Sequence, residues 1–335
     1  MKFFRRLVSK RLVSVLLCVL LPLTLLMLVA CNNEDAENDV AQENVTDESV
    51  QLLPIRIAAV PTDDLLPLWV AVEEGITEEL GLDLEIITFT SGRDMLAAIT
   101  AGETQAGGLS MLSVSQLTLG GIPTQAAMRL SPSRGAVVSS PESGITEVAQ
   151  LAGVPVAATE ASLEEYILYR ALTGAGIPED DIVLEAVPDL RTRPQLLMAE
   201  QIKASTMPWT LASVLGQQGA HILVSEKDVE PFTSTVLAIR SDWLDQPGSA
   251  ETVTAIWDAW NRGVELINNN PADFFDLLIE KANLPEESIE AGYEMQVYAP
   301  AQLPDRQQVE DILEWAHRKG YAETIIPYED FIYQP

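Results

Sequence analysis

The sequence predicts an α/β chain of parallel strands with helices on both faces of the sheets. Three observations predict it. Short apolar runs of strand length alternate with helix-length segments from Leu52 to about Arg240, as in successive strand–helix units. Two helix starts of the form Ser/Thr-x-x-Asp/Glu, Ser91–Asp94 and Ser162–Glu165, each follow a strand pattern, one in each half. Beyond Arg240 the alternation ends and helical spacing takes over.

The elements follow in order. Ile55-Arg56-Ile57-Ala58-Ala59-Val60 is a short apolar run, as expected of a strand covered on both faces. Pro61-Thr62-Asp63-Asp64 ends it, and a helix through Trp69 to Glu74 stops near Gly75. Leu82 to Ile86 alternates with period two and runs into Ile87-Thr88-Phe89. A helix from Arg93 to Ala101 stops at Gly102. Gln105 to Leu109 reads as a strand, followed by a helix to Leu119 and a Gly120-Gly121 stop. In the second half Val154 to Ala158 is a strand, and Ser162 to Leu172 a helix ended by Gly174. Ile182–Val187, Lys203–Thr206, His221–Val224 and Thr233–Ile239 are further strands. Val253, Ile256, Trp257, Trp260, Val264 and Ile267 then share one helical face, which reads as a core stripe rather than an aromatic ligand wall. Asn270-Pro271 suits a helix start, and Ile289–Val297 and Val309–His317 look helical.

Composition narrows the function. The 335 residues carry 20 Lys+Arg and 50 Asp+Glu, a formal charge of −30. Such a chain repels nucleic acid and anionic lipid. At 47% hydrophobic it is not a disordered polyanion. Two cysteines and two histidines exclude a disulfide framework or a Cys/His zinc site. The five basic residues before position 31 (Lys2, Arg5, Arg6, Lys10, Arg11) precede or open an apolar run from Leu12 to Ala30, the pattern of an export signal. An uncleaved membrane span is the alternative, since 12–30 is just long enough. After Cys31 comes an acidic segment rich in Asp, Glu and Asn without Lys or Arg, which reads as a flexible, self-repelling tether up to about residue 51.

Catalytic constellations are weak. Gly107-Gly108 and Gly120-Gly121 lack the spacing and lysine of a phosphate loop, and Ser139-Ser140 has no nucleophile-elbow context. His221 and His317 stand alone. With 50 carboxylates, adjacent acids such as Asp63-Asp64, Glu164-Glu165 and Asp180-Asp181 carry little signal. The paired helix starts say more. In doubly wound sheets ligands bind outside the carboxyl ends of the strands, where helix N-termini present free N–H groups. One such corner in each half would make a cleft with a wall from each.

The ending Leu28-Val29-Ala30-Cys31 resembles a bacterial lipobox, which implies signal-peptide cleavage, diacylation (palmitate) of Cys31 and membrane anchoring. The chain behind it resembles the substrate-binding proteins of ABC importers, in the group that binds sulfonates, taurine, nitrate and thiamine precursors. The resemblance is carried by Ile55–Ala58 with Pro61 and Asp64, Gly81–Glu85, Gly92–Ile99 and Ala101–Glu103. Ser143–Ile145, Leu151–Val154, Ser162–Tyr166, Arg193–Leu197 and Met207–Trp209 with Leu211-Ala212 continue it. It implies a two-lobe periplasmic-binding-protein type II fold, each lobe a mixed, mostly parallel sheet flanked by helices, with a helical C-terminal part. The implied divisions are a signal peptide (1–30), a tether (31–51), lobe 1 (52–141 and 232–335) and lobe 2 (142–231).

The implied function is capture of a small molecule between the lobes and delivery to a permease and its ATPase, outside the cytoplasmic membrane. The implied protein is a monomer, not an enzyme, with no cofactor, metal or nucleic acid. The yeast-type thiamine-pyrimidine synthases of this fold use a cysteine-rich segment, which this sequence lacks. Where the family often has Asp, Gln105 and Lys203 stand here. Position within the matched motifs makes Asp64, Ser91, Gly92, Arg93, Met111, Ser113, Ala161, Ser162, Tyr166 and Trp209 the ligand-binding candidates. Arg93 with the helix starts would suit an anion such as an alkyl sulfonate, taurine or nitrate. Trp209 with Asp64 would suit a planar heterocycle such as a thiamine pyrimidine, and scarce basic residues near the cleft favour it. A ligand-sensing lipoprotein and a secreted enzyme are the readings from other classes.

Overall fold

The computed structural model describes residues 51–132, 135–187, 189–190, 192–225, 233–284 and 295–334. The signal peptide, tether and lipidation of Cys31 expected from the sequence lie outside the described residues.

Two five-stranded sheets organise the chain. The first contains β1 (Ile55–Ala59), β2 (Leu84–Thr88), β3 (Ala106–Ser110), β4 (Thr124–Pro132) and β10 (Ser234–Arg240) in the order β2-β1-β3-β10-β4. The second contains β5 (Gly135–Ser139), β6 (Pro155–Ala158), β7 (Val183–Ala186), β8 (Ala204–Pro208) and β9 (His221–Ser225) in the order β7-β6-β8-β5-β9. With the first sheet go helices α1 (Leu66–Glu73), α2 (Ile76–Glu79), α3 (Gly92–Ala101) and α4 (Met111–Leu119). With the second go α5 (Leu163–Gly174), α6 (Arg193–Met198) and α7 (Trp209–Gln217). The C-terminal part adds α8 (Ser241–Leu244), α9 (Ser249–Asn269), α10 (Phe275–Ala282), α11 (Arg306–Arg318) and α12 (Tyr328–Phe331).

The two sheets are topological copies. In each, β1–β3 or β6–β8 pair in parallel, and one strand, β10 or β5, runs antiparallel between two neighbours. Those two strands are the ones the chain enters on crossing between lobes. A strand arriving from the other lobe enters at the carboxyl edge of its new sheet, so it must run against the rest. The sheets are therefore mixed and mostly parallel, not wholly parallel as alternation alone suggests.

β4 and β5 carry no strand prediction. β4 is built on Gln125-Ala126-Ala127-Met128, which lacks β-branched residues, and the crossing follows it at once. Gly135–Ser139, placed in the first lobe's stretch by the sequence reading, pairs with β8 and β9 of the second sheet. Of the helix expected over 289–297, residues 289–294 lie outside the described residues, and 295–297 are irregular.

Apolar cores cover both faces of each sheet. In lobe 1, α1 and α9 pack on one face with Ile55, Ile57, Leu68, Ile256 and Trp260. The other face is covered by α3, α4 and α11 with Ala58, Ile99, Leu109, Ile312 and Trp315. The stripe on α9 is core as expected: Val253, Ile256, Trp260, Val264 and Ile267 are buried. Two glycines permit the close packing. A Cβ on Gly107 would lie 2.8 Å from Ile99 Cδ1, and one on Gly263 only 2.1 Å from the Pro67 carbonyl oxygen. The α1 and α9 backbones therefore touch at Gly263. Lobe 2 has two smaller cores, one around Ala157, Leu197 and Met207 and one around Val156, Leu168 and Leu172.

Candidate functional site

The carboxyl ends of both sheets meet at the crossings. On lobe 1 this edge carries the loop after β1 and the starts of α3 and α4. On lobe 2 it carries the starts of α5, α6 and α7.

The loop after β1 delivers Asp64 to the point where both crossings attach. Its Oδ2 accepts from Thr62 Oγ1 at 2.9 Å, and its Oδ1 from Thr235 Oγ1 at 3.0 Å and from Ser131 Oγ. Ser131 lies at the end of β4, just before the first crossing, and Thr235 at the start of β10, just after the second. The two hydroxyls also bond each other at 3.0 Å. Among the described residues no cation pairs with Asp64. Burial of the carboxyl and the charge of Asp63 raise its pKa, against the three hydroxyl bonds, which lower it.

The helix starts behave as the capping pattern predicts, in part. Ser91 Oγ accepts from Asp94 N at 3.2 Å, and Ser162 Oγ from Glu165 N at 3.4 Å. The returning carboxylates go elsewhere: Asp94 accepts from the Ser91 hydroxyl, and Glu165 from Ala161 N at 2.7 Å. Ser110 caps α4 in the same way, accepting from Ser113 N at 3.1 Å. The Ser110-x-x-Ser113 spacing was a weaker signal, because no acid completes it. Gly92 and Arg93 are exposed in the first turn of α3. Arg93 makes no ion pair with Asp94 or any other described residue.

Two candidates, Met111 and Tyr166, sit differently from what motif position suggests. Met111 is fully buried in the lobe 1 core, where Thr233 Oγ1 approaches its sulfur at 3.6 Å. Tyr166 is also fully buried and faces α11. Its ring meets Trp315 edge-on at 5.2 Å, and its hydroxyl accepts from Arg170 Nη1 at 3.0 Å. Burial pushes its pKa up to about 12. Ala161 adopts φ +53°, a left-handed conformation uncommon for a residue with a Cβ. Its carbonyl accepts from Gln116 Nε2 of α4 at 3.1 Å, joining the body of α4 to the start of α5 across the lobes. Trp209 opens α7, is half-buried, and packs against the α1/α9 core of lobe 1 as well as a lobe 2 core.

Sequence reasoning missed Arg193. It is fully buried at the start of α6. Its Nε donates to Val187 O at 2.7 Å, its Nη1 to Thr206 O at 3.1 Å, and its Nη2 to Thr159 Oγ1. One guanidinium thus staples the ends of β6, β7 and β8. Burial pushes its pKa down, while Glu164 and Asp189 act the other way. Nothing in the local sequence separates such a staple from a solvated arginine.

The comparisons with known proteins agree with this architecture. The NMT1/THI5-like family model matches residues 62–274, and the chain belongs to that family. No curated protein matches the sequence. Among solved structures, the periplasmic aliphatic sulphonate binding protein SsuA of Escherichia coli superposes with a TM-score of 0.70 at 17% identity, covering 84% of this chain and 92% of that one. The periplasmic nitrate-binding protein NrtA of Synechocystis gives 0.65 at 15% identity, over 81% and 83% of the two chains. A DszB mutant in complex with biphenyl-2-sulfinic acid gives 0.64 at 14% identity, over 83% and 96%. These likenesses establish the shared periplasmic-binding-protein fold.

Proposed function

We propose that this chain is the extracytoplasmic solute-binding component of an ABC importer, held to the membrane by a lipid on Cys31. It closes two lobes over a small planar heterocycle bearing a hydrogen-bond donor, of the thiamine-pyrimidine kind, and passes it unaltered to the permease and ATPase. One observation carries the choice of ligand class: among the described residues the Asp64 carboxylate at the cleft edge pairs with no cation. Among the described residues Asp64 is held by hydroxyls alone, and the donors of Arg193 that face the strand ends are bonded to protein atoms. Trp209, half-buried between cores of both lobes, supplies an aromatic face. Asp64, Ser91, Ser113, Ala161, Ser162 and Trp209 remain the proposed contacts.

A second reading, an anion such as an alkyl sulfonate or nitrate, has one observation of its own: Arg93 stands exposed and unpaired beside the capped start of α3. The sulphonate and nitrate named for the structural neighbours belong to those proteins. Mass spectrometry of solute co-purified under gentle conditions, followed by calorimetry with a thiamine pyrimidine and with taurine, separates the two. The heterocycle reading expects Trp209→Ala to weaken pyrimidine binding about tenfold or more, with little salt dependence. Binding that weakens steeply with salt and with Arg93→Ala, and is indifferent to Trp209→Ala, would overturn it. Recovery of a chemically changed solute would instead identify an enzyme.

A further inference from the structure

The two lobes meet at a place that no ligand reading requires. Helix α5 of lobe 2 lies against α11 of lobe 1. Tyr166 and Tyr169 pack on Trp315, at 5.2 and 6.1 Å between ring centres. Arg170 pairs with Asp311 at 2.9 Å. Arg318 Nη2 donates to Tyr169 Oη at 3.0 Å. The buried Glu165 accepts from Tyr321 Oη at 2.9 and 3.0 Å and lies 3.5 Å from Lys319 Nζ. Tyr166 is so far inside this contact that it belongs to the apolar core of lobe 1, although the chain places it in lobe 2.

Each helix of the pair also touches a crossing. Ile167 of α5 lies beneath Gly135, the first residue of β5, so close that a Cβ there would meet its Cδ1 at 2.6 Å. Gln308 of α11 bonds Ser234 Oγ, at the first residue of β10, at 2.9 Å. The contact therefore flanks the two chain segments about which the lobes must turn. The polar groups at its centre are directional and part-buried, which fixes an orientation as well as an affinity.

The geometry points to the α5–α11 contact as the pivot of the two-lobe machine: a third, non-covalent link that persists as the cleft opens and sets how far the unliganded lobes separate. This inference rests on the two-lobe reading of the fold but not on the identity of the solute, and its test needs no ligand. Tyr321→Phe removes the bifurcated hydrogen bond to Glu165 and almost no volume. Combining it with Glu165→Gln and Asp311→Asn weakens the polar centre and leaves the aromatic packing in place.

Small-angle scattering on the unliganded protein should show a larger radius of gyration and maximum dimension for the triple variant than for the wild type. Circular dichroism should be unchanged. For Tyr321→Phe alone, which is expected to fold normally, hydrogen exchange at the first turns of α5 should rise about tenfold, while exchange in β1 and β6 stays as it was. Scattering curves that superpose for wild type and triple variant, with α5 exchange unchanged in Tyr321→Phe, would overturn the pivot. So would an α5–α11 contact that already exchanges at the rate of exposed loops in the wild type. Either failure would leave the calorimetric test of the solute untouched.

Discussion

Replacing Asp64 tests the electrostatics of the cleft edge most directly. Three hydroxyls bond its carboxylate, and hydrogen bonds to a charged group are worth about 1.5–3 kcal/mol each. The loss in Asp64→Ala should nevertheless be only about 2 kcal/mol. Ser131 and Thr235 already bond each other and stay satisfied, and removing a poorly solvated charge offsets part of the loss. Asp64→Asn keeps an acceptor for Ser131 and Thr235, so at neutral pH it should lie within about 1 kcal/mol of the wild type.

The informative quantity is the pH dependence of that difference. Burial raises the native pKa of Asp64 above its ordinary 3.8. The folded state then takes up a proton before the unfolded state does. Stability contributed by this group therefore grows as pH falls through the native pKa and levels off below the unfolded value. Other carboxylates act oppositely: Arg240 holds Asp242, and Arg306 holds Glu329, below their usual values. The wild-type minus Asp64→Asn difference, from urea melts at matched pH, cancels those. It should shift in favour of the wild type as pH falls from neutral toward the ordinary carboxylate value of 3.8. A flat difference, or one that moves toward the asparagine variant, would refute a desolvated carboxylate at this position.

Two further outcomes follow from the packing. Gly263→Ala forces a methyl to within 2.1 Å of the Pro67 carbonyl, so the α1–α9 contact must separate, and thermal unfolding should report a loss of at least about 2 kcal/mol. Tyr166 and Tyr321 should ionise late in an ultraviolet titration. Tyr166 is displaced to about 12 and Tyr321 is raised by burial and then by Glu165, and Tyr166→Phe should remove one late step without changing the early ones.

Much of the fold could be read from the chain because a strand covered on both faces needs a continuous apolar run, and a helix start needs a cap. Ile55–Ala59, the serines at 91 and 162 and the stripe on α9 announce themselves for those reasons. The mixed sheets are less visible. Whether a strand runs with or against its neighbours depends on the edge at which it enters, and Gly135–Ser139 looks the same either way. The site divides similarly. Asp64, Ser91 and Ser162 occupy the strand-end positions expected of them. Met111 and Tyr166 share that local spacing but turn into the core and onto α11.

The sequence alone determined the α/β class, the strand-end corners, the acidic balance and the motif at Cys31, since each is set by local spacing and composition. Only the tertiary structure decided that one carboxylate joins both crossings, that Arg193 staples three strand ends, and that α5 lies on α11. Those contacts link residues far apart in the chain, and no local periodicity encodes which distant partner completes a hydrogen bond or fills a packing gap.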